Sequence, residues 1–347
     1  MNLVELQLDF YRRFNEAASK LVLSKGNLLC TLLGHEKIAY AKSITCGLSM
    51  GVTAAARRLD GGLIKLESTH DNLCTIFRID DISPSDSPYT RDLLSIFNKT
   101  GFQGAEILCD SDIPKCFEKS IPTKIAVYRA IMNMNAHEIK DIHSSALICA
   151  GKNYTPAYLA SLAARRGWCT YIYRNKIKHY PLPLTGYKII TAQTNMSWHT
   201  NYSRHIEKEL KSIRHTHPGV CAYEDITPDM LSGGQYRYLY YMSEENRRCD
   251  LAASALKACR IDKFANIVNK SQADMERYLN PGQEHVFLAR QLLDSQGCIC
   301  ARLWRSGAYA IVEESLTDYV IKRTQSAFEA HFGTRVMFSV ADSDGTG

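Results

Sequence analysis

The stretch from Ala105 to Asn135 limits this chain more than any other. It reads as a strand, Ala105–Cys109, then a loop, then an apolar helix, Ile125–Asn135. A loop that enters a helix in this way can cradle an anion. It needs glycines so that backbone N–H groups can come close, and a free helix N-terminus to hold the charge. Residues 112–128, Asp112-Ile-Pro-Lys-Cys-Phe-Glu-Lys-Ser-Ile-Pro-Thr-Lys-Ile-Ala-Val-Tyr128, contain no glycine. Pro122 lacks an N–H to donate. Glu118 puts a carboxylate where an anion would sit. The frame of an anion loop is present without its chemistry.

That frame resembles the phosphate-loop segment of the GHMP kinase family, bacterial galactokinases above all, in which Ile-Pro precedes x-Gly-x-Gly-Leu-Ser-Ser-Ser-Ala. Here the glycines fall on Cys116 and Glu118, and the serines on Ser120, Ile121 and Pro122. Other segments follow the family in order. Leu21–Ser68 tracks its first motif and the strand after it, with Gly51–Asp60 and Leu63–Ser68 alike in pattern. Residues 184–195 resemble the strand that opens the C-terminal half. Arg237, Ser243–Arg248, Ala255–Lys257, Phe264 and Tyr278 follow its helical region, and Ala301-Arg302-Leu303 opens its third motif. The resemblance implies an α+β, GHMP-kinase two-lobed fold: a ribosomal S5 domain 2-like N-terminal lobe, 1–183, and a ferredoxin-like C-terminal lobe, 184–347.

The functional positions depart from the family pattern. The first motif's Arg falls on Leu28, its Glu on Gly34 and its Asp on Lys37, while His35 stays His. The family's catalytic Asp aligns with Tyr158 or, one register off, with Ala157. The third motif, Thr-Gly-x-Gly-Phe-Gly-Gly, becomes Trp304-Arg-Ser-Gly-Ala-Tyr309 and keeps only Gly307. Family-type transfer uses a carboxylate base, an Arg for developing charge, and a hydroxyl with a carboxylate for magnesium. Leu28 cannot stabilise charge, and a phenol titrating near 10 is a poor base at neutral pH. The expectation is a galactokinase-like pseudokinase with its ATP-binding and catalytic motifs lost, needing no cofactor and no metal, and binding a sugar or sugar-like ligand between the lobes. The alternatives are an ATP-independent isomerase, epimerase or lyase acting on a sugar or nucleoside, and a divergent sugar kinase.

The candidate residues follow from the same positions. His35, Glu36 and Lys37 supply a base, an acid and a cation in one short run, and with Tyr158 form the catalytic set. His35, Tyr202, Lys152, Asn153 and Arg305 form the substrate-binding set. Tyr202 matches the Tyr of a family Ser-x-Tyr segment, and Arg305 brings a new charge to the third motif. Lys115, Glu118, Lys119 and Ser120 belong to the degenerate phosphate loop, where the two lysines could hold an anion as point charges. His137, Glu138 and His143 read as surface residues on the helix after this loop.

Composition fits that picture. Apolar residues make up 45% of the chain and charged residues 22%, ordinary for a globular protein. The net charge of +6 comes with isolated doublets, Arg165-Arg166, Arg247-Arg248 and Lys322-Arg323, which read as solvated rather than as a nucleic-acid stripe. The 12 cysteines include no Cys-x-x-Cys pair, so they read as buried thiols of a reducing cytoplasm. His215-Thr-His217 near Cys221 reads as a polar turn rather than a zinc site. No apolar run reaches the ~20 residues that cross a bilayer. The expected partner is a small sugar-like molecule, with a protein partner or a homodimer left open and no nucleic acid or membrane. The Tyr-rich run at 236–241 reads as a packed helix face.

Overall fold

The computed structural model describes residues 3–14, 21–36, 38, 41–69, 74–78, 88–136, 141–151, 154–195, 202–231 and 235–345, with backbone alone at 88–92, 202–205 and 235–236. They form two compact units that interleave in sequence, the first drawn from Met1–Leu28 and Leu48–Ala163, the second from Leu29–Gly47 and Ala164–Gly345. No helix among the described residues is long and apolar enough to cross a membrane.

In the first unit α1 (Leu3–Phe14) precedes β1 (Val22–Gly34) and β2 (Ser43–Arg58), long strands whose residues 22–28 and 48–58 belong here. β3 (Leu63–Ser68), β4 (Cys74–Arg78), α2 (Pro88–Thr100), β5 (Ala105–Ser111), α3 (Ser120–Met134), α4 (Ile142–Ala150) and α5 (Pro156–Ala163) follow. The strands run in the order β4-β3-β5-β2, with β3 parallel to β5 and the other neighbours antiparallel. All seven residues of β5 are buried, so both faces of this strand are covered. On one face Leu6, Phe10 and Phe14 of α1 pack on Ala55 and Leu108. Under the same helix lies a buried charge pair: Arg57 donates to Glu106, and its guanidinium also reaches the Phe14 carbonyl at 3.1 Å. Lys65 Nζ completes it at 2.7 Å from Glu106.

The second unit takes residues 29–34 of β1 and 43–47 of β2, and β6 (Trp168–Tyr173) pairs with β2 through Ser43↔Ile172 to Thr45↔Thr170. A two-residue turn, Arg174-Asn175 at φ +47° and +62°, carries β6 into β7 (Lys176–Pro181). Paired left-handed residues of this kind match the twist of a hairpin. Next come β8 (Tyr187–Gln193), α6 (Tyr202–Thr216), α7 (Gln235–Lys257), α8 (Ile261–Leu279), α9 (Gln283–Leu293), β9 (Cys298–Trp304), β10 (Gly307–Glu313), α10 (Thr317–Phe332), β11 (Met337–Ala341) and the short β12 (Ser343–Asp344). Their antiparallel sheet runs β11-β8-β10-β9. With a helical connection after β8 and α10 before β11, that is the ferredoxin-like order expected from the sequence. Ile190, Ala192, Ala308 and Ala310 of the sheet join Leu239, Met242, Leu288 and Phe328 of the helices in one core.

Two local expectations change. α3 starts at Ser120 rather than Ile125, because a proline inside the first helical turn has no intrahelical N–H bond to lose. His143 lies on a helix of its own: α3 ends at Met134, and Asp141 caps α4 by accepting from His143 N at 3.0 Å and Ser144 N at 3.2 Å. His143 is exposed, as read, and His137 and Glu138 lie outside the described residues.

Candidate functional site

The first component is the start of α3. Glu118 is exposed and accepts from Ser120 Oγ at 2.7 Å, so a carboxylate lies over the first helical residue, where the helix dipole favours negative charge. Lys119, at the N-cap, offers no side-chain cap, and its carbonyl accepts from Thr123 N at 2.9 Å. Lys115 is exposed and Pro122 buried. β1 runs hard against this turn: a Cβ on Gly26 would stand 2.0 Å from the Pro122 carbonyl. On the strand beside it, Gly51 N donates to Asp112 Oδ1 at 2.5 Å, which ties the loop's first residue down.

The second component follows along the same helix. Lys124, 3% exposed, sends Nζ to within 3.1 Å of the Tyr158 hydroxyl on α5 and 5.6 Å from its ring centroid. Tyr158 is 4% exposed and Ala157, the alternative register, 2%. The ammonium donates, and the phenol oxygen accepts. Lysine and tyrosine are both able to move protons, and here they are joined.

The third component lies in the second unit. Gly34 ends β1 at φ +78°, where a Cβ would meet Lys42 O at 2.0 Å, so only glycine fits. The tight turn buries His35, whose Nε2 lies 3.2 Å from the Tyr241 hydroxyl. Burial, helped by the nearby charge of Arg302, lowers its pKa to about 4, so the imidazole is neutral near pH 7 and a weak base. Gly34 N donates to Glu245 Oε1 at 2.9 Å. Glu245 is fully buried between Arg302 and Arg248, each 2.9 Å away, and Ser271 Oγ donates to it at 2.9 Å. Burial alone would push this carboxyl up; the two guanidiniums outweigh that and hold it at about 2. Arg302 Nε reaches Ser271 at 2.9 Å, and Arg248 also bonds Asp274 at 2.6 Å.

Around this network, Glu36 is half-buried and accepts from Thr31 Oγ1 at 2.6 Å. Arg305 sits at the tip of the β9–β10 hairpin, with φ +55°. Lys37, Lys152 and Asn153 lie outside the described residues, and Tyr202 is described only as the first residue of α6. Within the first unit, then, the loop residues and Tyr158 lie along α3 and beside it. Within the second, His35 borders a buried ionic cluster and Glu36 follows it in the chain, while Arg305 lies at a hairpin tip with its guanidinium over the Trp304 ring.

Sequence reasoning passed over Lys124, Tyr241, Glu245 and Arg248. Arg248 read as half of a solvated doublet, yet it is buried. The available signal was the run Glu244-Glu245-Asn246-Arg247-Arg248, too charged to be solvent-facing on every side of a helix. Tyr241 is fully buried and Tyr240 packs on Tyr278 at 5.5 Å, so this part of the Tyr-rich run is a packed face, as expected. Among the described residues no three His, Cys, Asp or Glu side chains converge in a way that could hold a metal.

No protein-family model matches the sequence, and no curated protein does. Solved structures do match. The chain is similar to the galactokinase of Lactococcus lactis, crystallised with galactose, at 18% identity, with 99% of this chain and 98% of that one covered and a TM-score of 0.87. It is similar to a mevalonate kinase at 12% identity, 93% and 100% coverage and a TM-score of 0.65. For the Methanococcus jannaschii mevalonate kinase the values are 11%, 94% and 99%, and 0.64. The chain has the α+β, two-lobed fold of the GHMP kinases, galactokinase among them.

Proposed function

We propose that this chain is a galactokinase-like pseudokinase, which binds a sugar or sugar-like molecule and transfers no phosphate. The observation that carries it is the start of α3. A triphosphate with magnesium needs converging backbone donors and a carboxylate poised to hold the metal. This turn offers no glycine and a proline, with the Glu118 carboxylate already laid over Ser120. Those residues do not suit nucleotide phosphate. At the place the sequence assigns to the catalytic carboxylate, Tyr158 accepts from Lys124 instead.

The sugar half of the proposal is supported by the fold shared with a galactokinase that binds galactose, and by a built surrounding for His35 and Glu36. A second reading, ATP-independent proton-transfer chemistry on a sugar or nucleoside, is favoured by the Lys124–Tyr158 pair.

Thermal denaturation of the full chain against sugars, sugar phosphates, nucleosides and nucleotides with magnesium separates these readings, because a ligand of the native state raises Tm. Stabilisation by a sugar and none by nucleotide supports the proposal. Stabilisation by ATP with magnesium contradicts it. Conversion of a stabilising sugar without ATP, lost in Tyr158→Phe, selects the second reading.

A further inference from the structure

The first unit holds a cavity at the end of the sheet away from α3. It lies where the β2–β3 turn at Gly61-Gly62, the α2–β5 turn at 101–103 and Arg78 at the end of β4 come together. Its volume is about 460 Å³, within the range of sites for small organic molecules and more than a lone ion needs. Ala105 opens β5 beside these turns, and Ser111, the last residue of that strand, leads into the loop before α3. An extended strand of that length puts the two ends roughly 20 Å apart. The walls are fixed. Leu59 N donates to the Gly104 carbonyl at 3.0 Å, and a Cβ on Gly104 would stand 2.6 Å from the Leu59 carbonyl, so the two turns are pressed together. Phe102 N donates to the Phe97 carbonyl at 3.2 Å and closes the end of α2. The Phe77 ring of β4 meets the Phe97 ring edge to face at 6.4 Å, which brings Arg78 to the same place.

The lining suits an anion. Phe97 and Phe102 are buried and form the floor, while Arg78, Asn98 and Gln103 line the cavity and open to solvent. Among the described residues Arg78 makes no ion pair or hydrogen bond, and no Asp or Glu lines the cavity. A second cation, Arg58, has its guanidinium 5.4 Å over the Phe102 ring and forms no ion pair among the described residues. The side-chain amides of Asn98 and Gln103 make no hydrogen bond among them either. One cavity therefore collects a planar cation and two amides whose donors and acceptors are unspent.

We propose that this cavity binds a small hydroxylated anion, a phosphate ester or hydroxy acid, with the anion on Arg78 and the hydroxyls on Asn98 and Gln103. A guanidinium grips phosphate or carboxylate through two parallel donors, and a primary amide both donates to and accepts from hydroxyls. The site is separate from α3 and from His35, and it does not depend on the sugar-binding reading.

Titration calorimetry on the full chain at low salt tests it, with glycerol 3-phosphate, glucose 6-phosphate, malate and citrate beside glycerol, glucose and inorganic phosphate. At least one hydroxylated anion is expected to bind about tenfold or more tightly than the neutral polyols and than inorganic phosphate, as charge-assisted bonds allow. Its affinity should fall as salt rises. Arg78→Ala should weaken it at least about tenfold, and Asn98→Ala by a smaller factor. Arg78 is exposed, so the ligand-free Tm of Arg78→Ala should stay within about 2 °C of the parent chain, which separates lost binding from lost fold. Binding that survives Arg78→Ala, or that disappears instead when Lys115 and Lys119 are replaced by alanine, belongs to the loop before α3 and overturns the proposal. Binding of none of the four organic anions overturns it as well, as does binding of inorganic phosphate alone. The phosphate esters and the hydroxy acids tell the two kinds of anion apart. Loss of the sugar reading in the thermal denaturation panel leaves this outcome unchanged.

Discussion

Arg302 and Glu245 face each other at 2.9 Å with both side chains almost wholly out of solvent, and the same carboxylate accepts from the backbone of Gly34. The pair thus joins β9, α7 and the end of β1 in one contact. Burying ions is costly, and the arrangement holds because Glu245 is satisfied from four directions, by Arg302, Arg248, Ser271 and Gly34 N. Glu245→Ala strands the buried guanidinium of Arg302, while Arg248 keeps Asp274. Chemical denaturation should report a loss of about 3–5 kcal/mol. A loss below about 1 kcal/mol would mean that the cluster is open to water.

The same cluster sets a pH dependence. His35 titrates at about 4 in the folded chain against an ordinary value near 6.5, so the unfolded chain binds the extra proton first. Stability is full above pH 6.5 and falls as pH drops from 6.5 to about 4, by an amount on the order of 3 kcal/mol. Glu245, held at about 2, adds a second loss between its unfolded value near 4.3 and about 2. Denaturation midpoints measured from pH 8 to 4 should decline, and His35→Gln should flatten the decline above pH 4.5. An unchanged slope in the variant would assign the effect elsewhere.

The start of α3 is held by the absence of a side chain on Gly26. Gly26→Ala drives a methyl to 2.0 Å from the Pro122 carbonyl, and backbone must move on one side. The expected cost is about 1–3 kcal/mol or more, as for an overpacked core. Gly101→Ala is the control. It has φ +65° but nothing within 4 Å of its added Cβ, so only the conformational penalty of about 1 kcal/mol remains. Equal losses in the two would contradict the close approach.

Tyr158→Asp offers Lys124 a carboxylate at one of the two positions, Tyr158 and Ala157, to which the resemblance assigns the family's Asp. The account expects this variant to remain inactive with ATP and magnesium, since Glu118 and Pro122 are untouched. Sugar phosphorylation assayed by phosphate transfer checks it; transfer by the variant would contradict the part the proposal gives to Glu118 and Pro122.

Much of the fold was legible because its signals are local. Alternating apolar positions and proline or glycine breaks gave β8 to β11 and α6 to α10 almost in place. β7 was not legible: its hairpin turns on Arg174-Asn175, without the glycine that marks such turns. α4 was hidden because Ile142–Ala150 is short and lacks a polar stripe; its only announcement was the Asp141 cap. Candidate site residues were legible as types and places in the chain, His35, Tyr158 and Arg305 among them. Their partners were not. Lys124 and Glu245 reach across to other elements, and a charged residue gives no sequence sign that it will be buried against another.

Equilibrium binding of ATP with magnesium to the full chain, followed by titration calorimetry, bears most directly on the proposed absence of phosphate chemistry at α3. The account predicts no saturable binding into the millimolar range. Saturable binding that disappears when Lys119 or Ser120 is replaced would place a working nucleotide site at the very turn argued to have lost one.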